Sequence, residues 1–125
     1  MEVKQGLLYT KTHEWVEFLD DTTARIGISD YAQHELGDLV FANLPDVGDE
    51  LTAGKMFADV ESVKAVSDVI APVSGTVAEI NEELLDAPEK INVSAYAAWF
   101  VKVENVSDRG ELMDADAYAA YCDAL

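Results

Sequence analysis

The sequence predicts a mainly β fold, a sandwich or barrel with small helical additions. Short apolar runs of about five residues recur along the chain, separated by Gly, Pro and Asp, which is typical of antiparallel sheets. Only two segments have the composition of helices, and both are short. The chain has 125 residues, half of them apolar, so it can bury a core. We expect one domain over residues 1–125.

The N-terminal part of the chain contains three predicted strand-like runs, a helix and a further strand. The predicted elements are a run at 9–11, a strand at 14–18, a turn at 20–21, a strand at 24–28, a helix at 31–36 and a strand at 39–42. In the strand 24–28 alternate apolar residues share one face, and Arg25 lies on the other. Asp30 is the expected helix cap with Gln33 three residues on, and Gly37 is the expected left-handed end.

The rest of the chain, from residue 46 onward, contains the predicted hairpin. Its elements are a turn at 46–49, hairpin arms at 56–61 and 66–70, strands at 76–80 and 99–103, and a helix at 114–122. Trp99, Val101 and Val103 are expected to face inward and Lys102 outward. Trp15 is likewise expected in the core. Asp114 is the expected cap of the last helix.

A lysine lies at the tip of this hairpin. The two arms leave Ser62, Val63, Lys64 and Ala65 for the tip. A swinging cofactor needs a long flexible stem that ends in an amide-forming nucleophile, and lysine is the side chain that offers both. The similar Gly- and Pro-marked segments at 47–54 and 70–77 favour an attachment site. The alternative is an ordinary solvated lysine.

The charge and hydropathy of the chain exclude several classes of function. There are 25 acidic and 8 basic residues, a net charge of −17, which repels nucleic-acid phosphates. The charge either favours electropositive partner surfaces or only keeps the chain soluble, and both interpretations stay open. No apolar run approaches the ~18–20 residues that cross a bilayer. We expect no membrane contact and, with no signal or transit segment visible, a cytoplasmic protein.

The sequence contains no convincing catalytic or metal-binding constellation. Cys122 is the single cysteine, so no internal disulfide forms, and we expect it to fill space in the last helix. His13 and His34 are too few and too isolated for a metal site. No nucleophile–base set and no phosphate-binding glycine loop are present. We therefore expect a protein that is not an enzyme by itself.

Several motifs in order carry a family resemblance. The motif Glu61-Ser62-Val63-Lys64-Ala65 lies in the segment from Val47 to Val77, and the further stretches are 9–15, 26–33 and 36–41. The segment resembles the lipoyl and biotinyl carrier fold, and the motif together with these stretches resembles the glycine cleavage system H-protein family in particular. Biotin carriers usually place methionines on both sides of the lysine, and 2-oxoacid dehydrogenase domains an aspartate before it. The resemblance covers about Leu7 to Tyr121.

This resemblance implies a barrel-sandwich hybrid with a short internal helix and a short C-terminal helix, and lipoate attached covalently to Lys64. In the family, a pyridoxal-phosphate glycine decarboxylase (P protein) loads an aminomethyl group onto the oxidised dithiolane. A folate-dependent aminomethyltransferase (T protein) takes the carbon, and a flavin-dependent dihydrolipoyl dehydrogenase (L protein) reoxidises the arm. A lipoate ligase or lipoyl transferase is the implied modifying enzyme.

The resemblance also implies residues around a docked arm. Glu14 would receive the aminomethyl ammonium, and the alternative is a strand-edge glutamate in water. Thr12 and His34 are placed beside the arm, with plain helix surface as the alternative for His34. Asp68 would orient the arm or help the ligase recognise the site, and a solvated acid is its alternative. We expect Glu61, Ser62, Val63 and Ala65 to form the arm's immediate surroundings.

The chain departs from the family pattern at residues 92–99. This stretch, NVSAYAAW, lacks the family's usual Pro and glycines. Because alanine does not adopt positive φ cheaply, we expect the loop to follow another path. The departure motivates a second hypothesis, an H-like lipoyl carrier or lipoate donor that serves other enzymes such as 2-oxoacid dehydrogenases. A third hypothesis, an unmodified acidic binding module, rests on the charge alone.

Overall fold

Two antiparallel sheets make up most of the structure, a computed structural model that describes residues 1–125. The strands are β1 (Leu8–Tyr9), β2 (Glu14–Phe18), β3 (Ala24–Ile28), β4 (Leu39–Asn43), β5 (Glu50–Leu51), β6 (Met56–Ser62), β7 (Val66–Ile70), β8 (Gly75–Ile80) and β9 (Val101–Glu104). The first sheet has the order β1-β2-β3-β9-β8-β5 and the second the order β4-β6-β7. Neither sheet closes on itself, and the prediction of a mainly β fold is confirmed.

Four short helices complete the chain. They are α1 (Asp30–Leu36), α2 (Glu83–Asp86), α3 (Lys90–Val93) and α4 (Ala115–Asp123). The helices α2 and α3 and the strand β5 were not predicted, because elements of two to four residues are too short to produce a visible period. None of the four helices is long and apolar enough to cross a membrane.

The inner faces of the two sheets supply the main apolar core. In β3 the alternate residues Ala24, Ile26 and Ile28 are buried, as predicted, and Arg25 is half-buried on the other face. Each large aliphatic side chain contributes roughly 1.5–3 kcal/mol when it leaves water. The strands β6 and β8 contribute buried residues to this core from opposite sheets. The hairpin that carries Lys64 is therefore packed against the core.

A second, smaller cluster lies under the C-terminal helix. It contains Tyr9, Trp15 and Tyr118, with Cys122 at its edge. The rings of Tyr9 and Tyr118 stack at 4.4 Å and 4°. The helix begins as predicted, since the Asp114 carboxylate accepts a hydrogen bond from the Ala117 amide (2.8 Å). Burial of Trp15 and Cys122 agrees with the prediction for both residues.

The cap of α1 differs from the prediction. Ser29, not Asp30, is the N-cap, and its hydroxyl accepts a hydrogen bond from the Ala32 amide (3.2 Å). The helix begins one residue earlier than expected, so Asp30 lies in the first turn, and its Oδ1 accepts from the side-chain Nε2 of Gln33 (2.8 Å). The end is as predicted, with Gly37 in the left-handed region at φ 82°.

The strand predicted at 99–103 begins only at Val101. Phe100 is fully buried, and Trp99 is half-buried with the Arg25 guanidinium 5.6 Å from its ring centroid. Trp99 therefore lies at the edge of the second apolar cluster and not fully in the core as expected. The inward–outward alternation of side chains starts only at Val101, because Trp99 and Phe100 are not in a regular strand. The Phe100 amide nevertheless donates a hydrogen bond to the Ile26 carbonyl (2.7 Å).

The loop at 92–99 contains no residue with positive φ. Its first residue, Asn92, joins three parts of the fold. The Asn92 Oδ1 accepts from the Leu39 amide (2.9 Å), and Nδ2 donates to Gln33 Oε1 and to the Gly37 carbonyl (both 2.9 Å). Asn92 thus holds α3 against the end of α1 and the start of β4.

Candidate functional site

The tip of the β6–β7 hairpin is a rigid turn organised by Ser62. The Ser62 hydroxyl accepts hydrogen bonds from the amides of Lys64 (3.2 Å) and Ala65 (3.0 Å). The Ser62 amide donates to the Ala65 carbonyl (2.8 Å). Ser62 was predicted in the tip as a small neighbour of the lysine. In the structure it is the buried last residue of β6, and it sets the shape of the turn.

Lys64 is exposed and its amine makes no ion pair. The four ion pairs of the structure involve other cations. The tip is fastened to the body by the Val63 amide, which donates to the Asp38 carbonyl (3.0 Å). The lysine side chain passes over Gly37, where an added Cβ would lie 3.7 Å from Lys64 Cε. A fixed backbone therefore presents a free amine.

The outer face of the second sheet combines apolar and acidic side chains beside the tip. The register places Phe41, Glu61 and Val66 opposite one another in one row across the sheet. All three are exposed, Phe41 by 51% and Val66 by 66%. On the same face Asp59 lies directly opposite Asp68. Like charges in such a pair destabilise a sheet.

Glu14 is a buried carboxylate without a cationic partner. It begins β2 and is only 1% exposed, which excludes the alternative of a strand-edge glutamate in water. Its Oε1 accepts from the Thr12 hydroxyl and from the Thr10 hydroxyl (2.7 Å), and its Oε2 accepts from the Ile70 amide (3.2 Å). Burial raises the pKa of the Glu14 carboxyl, and these hydrogen bonds act in the opposite direction. A site of this kind favours a cation.

A cavity of about 230 Å³ is lined in part by Thr10, Thr12 and Ile70, the three residues that donate hydrogen bonds to the Glu14 carboxylate. The strand β7 connects this cavity with the tip. Because side chains of a strand alternate, Val66, Asp68 and Ile70 follow one another on one face. The four residue steps of β7 from Val66 to Ile70 span roughly 13 Å, and Lys64 lies two residues before Val66. The hairpin thus leads from the free amine to the buried carboxylate.

The other predicted site residues are more dispersed. Asp68 is exposed on β7 between the tip and the cavity, and Thr12 contacts Glu14. His34 is exposed on α1 and makes no hydrogen bond. Sequence reasoning missed Thr10, for which the spacing Thr10-x-Thr12-x-Glu14 was an available signal. It also missed the Ile70 amide, for which a sequence carries no signal.

No group of three or more His, Cys, Asp or Glu side chains could hold a metal ion. Two further cavities lie elsewhere, one of about 410 Å³ at residues 45–57 and one of about 450 Å³ along α2 and α3. Neither of these two is lined by a residue that donates a hydrogen bond to Glu14, and Lys64 and Glu14 line none of the three cavities.

Comparisons with known proteins agree on one family. The model of the glycine cleavage H-protein family matches residues 7–124. A glycine cleavage system H protein of Lachnoclostridium phytofermentans is 59% identical over 121 residues, 97% of this chain and 95% of the relative. A probable glycine cleavage system H protein of Pyrococcus horikoshii is 55% identical over 127 residues, 99% of this chain and 95% of the relative.

A solved structure is similar as well. The crystal structure of a glycine cleavage system H protein from Mycobacterium marinum superposes with a TM-score of 0.92 at 39% identity. The superposition covers 98% of this chain and 100% of that chain. Sequence and architecture therefore indicate the same relationship over nearly the whole length.

Proposed function

The chain belongs to the glycine cleavage H-protein family, and from this premise we propose that Lys64 is the residue on which it carries lipoate. The single observation that carries the proposal is the exposed amine of Lys64 on a rigid hairpin tip, outside every ion pair. An enzyme that forms an amide bond at this nitrogen needs an accessible, reproducibly placed amine. The turn organised by Ser62 and the exposure of Lys64 meet this requirement.

Members of this family are carrier components and not catalysts, and this chain is a lipoyl carrier of the glycine cleavage system. Lipoate supplies a disulfide that accepts the aminomethyl group derived from glycine. The residues of the chain do the rest: they hold the attachment point, orient the arm, and shield its cargo from water.

The route from Lys64 to Glu14 suits an arm that folds back on the protein. The outward side chains of β7 offer apolar contact at Val66 and Ile70 and a carboxylate at Asp68. At the end of this route Glu14 lies buried, with Thr12 on its Oε1. An ammonium that enters the cavity would find there the cation site that the Glu14 carboxylate lacks. His34, exposed on the neighbouring helix, stays a prediction as a docking residue.

The partners follow from the same role. Membership of the glycine cleavage system implies partner enzymes of that system. We propose that they are the pyridoxal-phosphate decarboxylase, the aminomethyltransferase and the dihydrolipoyl dehydrogenase. A ligase or transferase that attaches lipoate has to reach Lys64 itself, so it contacts the exposed Phe41, Val63 and Val66 around the tip. Glu61 lies between these apolar residues. The complementary surface of the modifying enzyme therefore has an apolar centre with basic residues around it.

The intact mass of the protein tests the attachment site. Wild type and Lys64→Arg are each incubated with a lipoate ligase, ATP and lipoate, and we expect a lipoyl-sized gain on wild type alone. The matched control is Lys55→Arg, an exposed lysine at the other end of β6, which should gain the same mass as wild type. No gain on wild type would remove the proposal and favour an unmodified binding module. A gain on Lys64→Arg would remove the proposal by placing the modification on another residue. A cytoplasmic location and a single domain over 1–125 stay predictions of the sequence.

A further inference from the structure

The turn that presents Thr10 and Thr12 to Glu14 contains a residue in an unusual conformation. The Thr10 amide donates to the Glu14 carbonyl (3.0 Å), and the His13 amide donates to the Thr10 carbonyl (3.1 Å). His13 has φ 74°, in the left-handed region, which among the residues other than glycine is adopted most readily by Asn, Asp and His.

The imidazole of His13 is held by the C-terminal helix. His13 Nδ1 lies 2.8 Å from the hydroxyl of Tyr118, and this hydroxyl lies 2.7 Å from the Ser29 hydroxyl. Tyr121, one turn further along the same face of α4, donates to the Lys11 carbonyl (3.2 Å). Tyr118 and Tyr121 of α4 thus both make hydrogen bonds to the turn between Thr10 and Glu14.

The donors and acceptors of this chain of hydrogen bonds fit one direction. Burial lowers the pKa of the His13 imidazole, which favours a neutral ring whose Nδ1 accepts. The Tyr118 hydroxyl then donates to His13 and accepts from the Ser29 hydroxyl, which in turn accepts from the Ala32 amide. Tyr118 is fully buried, and its ring would pack equally well without a hydroxyl. The role of the Tyr118 hydroxyl is therefore to make the hydrogen bonds with His13 and Ser29.

We propose that Tyr118 and His13 are positioning residues that hold the Thr10–Glu14 turn in the shape in which both threonine hydroxyls face the Glu14 carboxylate. The C-terminal helix is then part of the cargo site, although none of its residues touches Glu14. The proposal rests on the proposed role of Glu14, and it adds the residues through which the rest of the fold sets that carboxylate.

The ionisation of Glu14 reports the shape of the turn. The hydrogen bonds from Thr10 and Thr12 stabilise the carboxylate, so a loosened turn raises the pKa of Glu14 above its wild-type value. The pKa is measured by ¹³C NMR of the side-chain carboxyl in the protein without lipoate, with Glu14→Gln identifying the signal. The test variants are Tyr118→Phe and His13→Asn. Asparagine tolerates the backbone of residue 13 and removes the imidazole.

The matched control is Tyr96→Phe. It also removes one hydroxyl from the aromatic cluster, where Tyr96 donates to the Glu2 carbonyl (2.7 Å) and not to the turn. We expect a higher Glu14 pKa in Tyr118→Phe and His13→Asn and an unchanged one in Tyr96→Phe. An unchanged pKa in both test variants, or an equal rise in the control, overturns the proposal.

A second measurement links the turn to the cargo. Lipoylated and loaded protein, freed of the loading enzyme, releases formaldehyde and ammonium when water attacks the carried carbon and the sulfur leaves as a thiol. We expect release about tenfold faster in Tyr118→Phe than in wild type, the factor for one weakened charge-assisted hydrogen bond. An unchanged rate overturns the proposal. If wild type accepts no lipoate, only the proposed function fails, because the titration uses unmodified protein.

Discussion

The main-chain amide of Ile70 donates a hydrogen bond of 3.2 Å to Oε2 of Glu14 and so joins the two sheets of the protein. Ile70 is the last residue of β7, and the same strand begins just after Lys64. Lys64 therefore lies just before the start of β7, and the contact with the Glu14 carboxylate lies at the end of β7. The separation of Lys64 and Glu14 depends on this strand and on the packing of the two sheets.

The Glu14 carboxyl should make stability fall as pH rises. Burial raises the pKa of the Glu14 carboxyl above its ordinary value of 4.5. At a pH between 4.5 and this raised pKa, the folded protein binds more protons than the unfolded chain. Stability is then lost as pH rises through this interval and is not regained above it. Glu14→Gln lacks this loss. We expect its free energy of unfolding, relative to wild type, to increase from pH 4 to pH 7 in urea titrations.

The control for this pH dependence is Glu104→Gln, the same substitution at an exposed strand residue. It shares the change in net charge and lacks the burial. A pH profile of Glu14→Gln parallel to that of Glu104→Gln would contradict the assignment of the effect to the buried carboxyl.

Gly27→Ala should destabilise the protein by overpacking. Gly27 lies opposite Trp15 in the β2–β3 ladder, and a Cβ there would stand 2.6 Å from the indole ring. Because Trp15 is buried, it cannot move aside freely, and we expect a cost of about 1–3 kcal/mol in urea unfolding. Gly110→Ala, whose Cβ would meet only the Pro72 carbonyl at 3.3 Å, should cost clearly less. Equal costs would argue against the steric reason.

Asn92→Ala should also destabilise the protein, since it leaves the Leu39 amide without its side-chain acceptor. We expect a loss of roughly 1–3 kcal/mol in the free energy of unfolding, the usual cost of an unsatisfied buried polar group. Asn81→Ala is the control, because the Asn81 side chain makes no hydrogen bond in the structure. A loss as large in Asn81→Ala would show that the Asn92 network is not responsible.

Asp59→Asn should stabilise the protein slightly at low salt. It removes one of two like charges that lie directly opposite each other, Asp59 and Asp68. We expect a gain of about 0.2–1 kcal/mol that shrinks as salt screens the pair. Asp21→Asn makes the same charge change at an exposed turn. If its gain in urea unfolding matches that of Asp59→Asn, net charge and not the pair explains the effect.

Local patterns were sufficient for most strands and for the hairpin, because alternation and turn residues act over a few neighbours. They predicted β3, the arms β6 and β7, the cap Asp114 and the end Gly37. They failed where the secondary structure depends on only a few residues. Trp99 lies before the start of its predicted strand, and the four-residue helices α2 and α3 were not predicted.

The site divides in the same way. Lys64 and its tip were evident from the sequence, because a turn is a local feature and a motif of consecutive residues describes it. The environment of Glu14 was not, since it depends on the amide of Ile70, 56 residues away.

The sequence by itself determined that a lysine stands between two short strands of a β-rich, acidic chain of this family. Only the tertiary structure decided that Glu14 is buried without a cation and that a C-terminal helix holds the turn before it. The physical reason is distance along the chain: His13 and Tyr118 are 105 residues apart and meet only because packing brings their sheets and helices together.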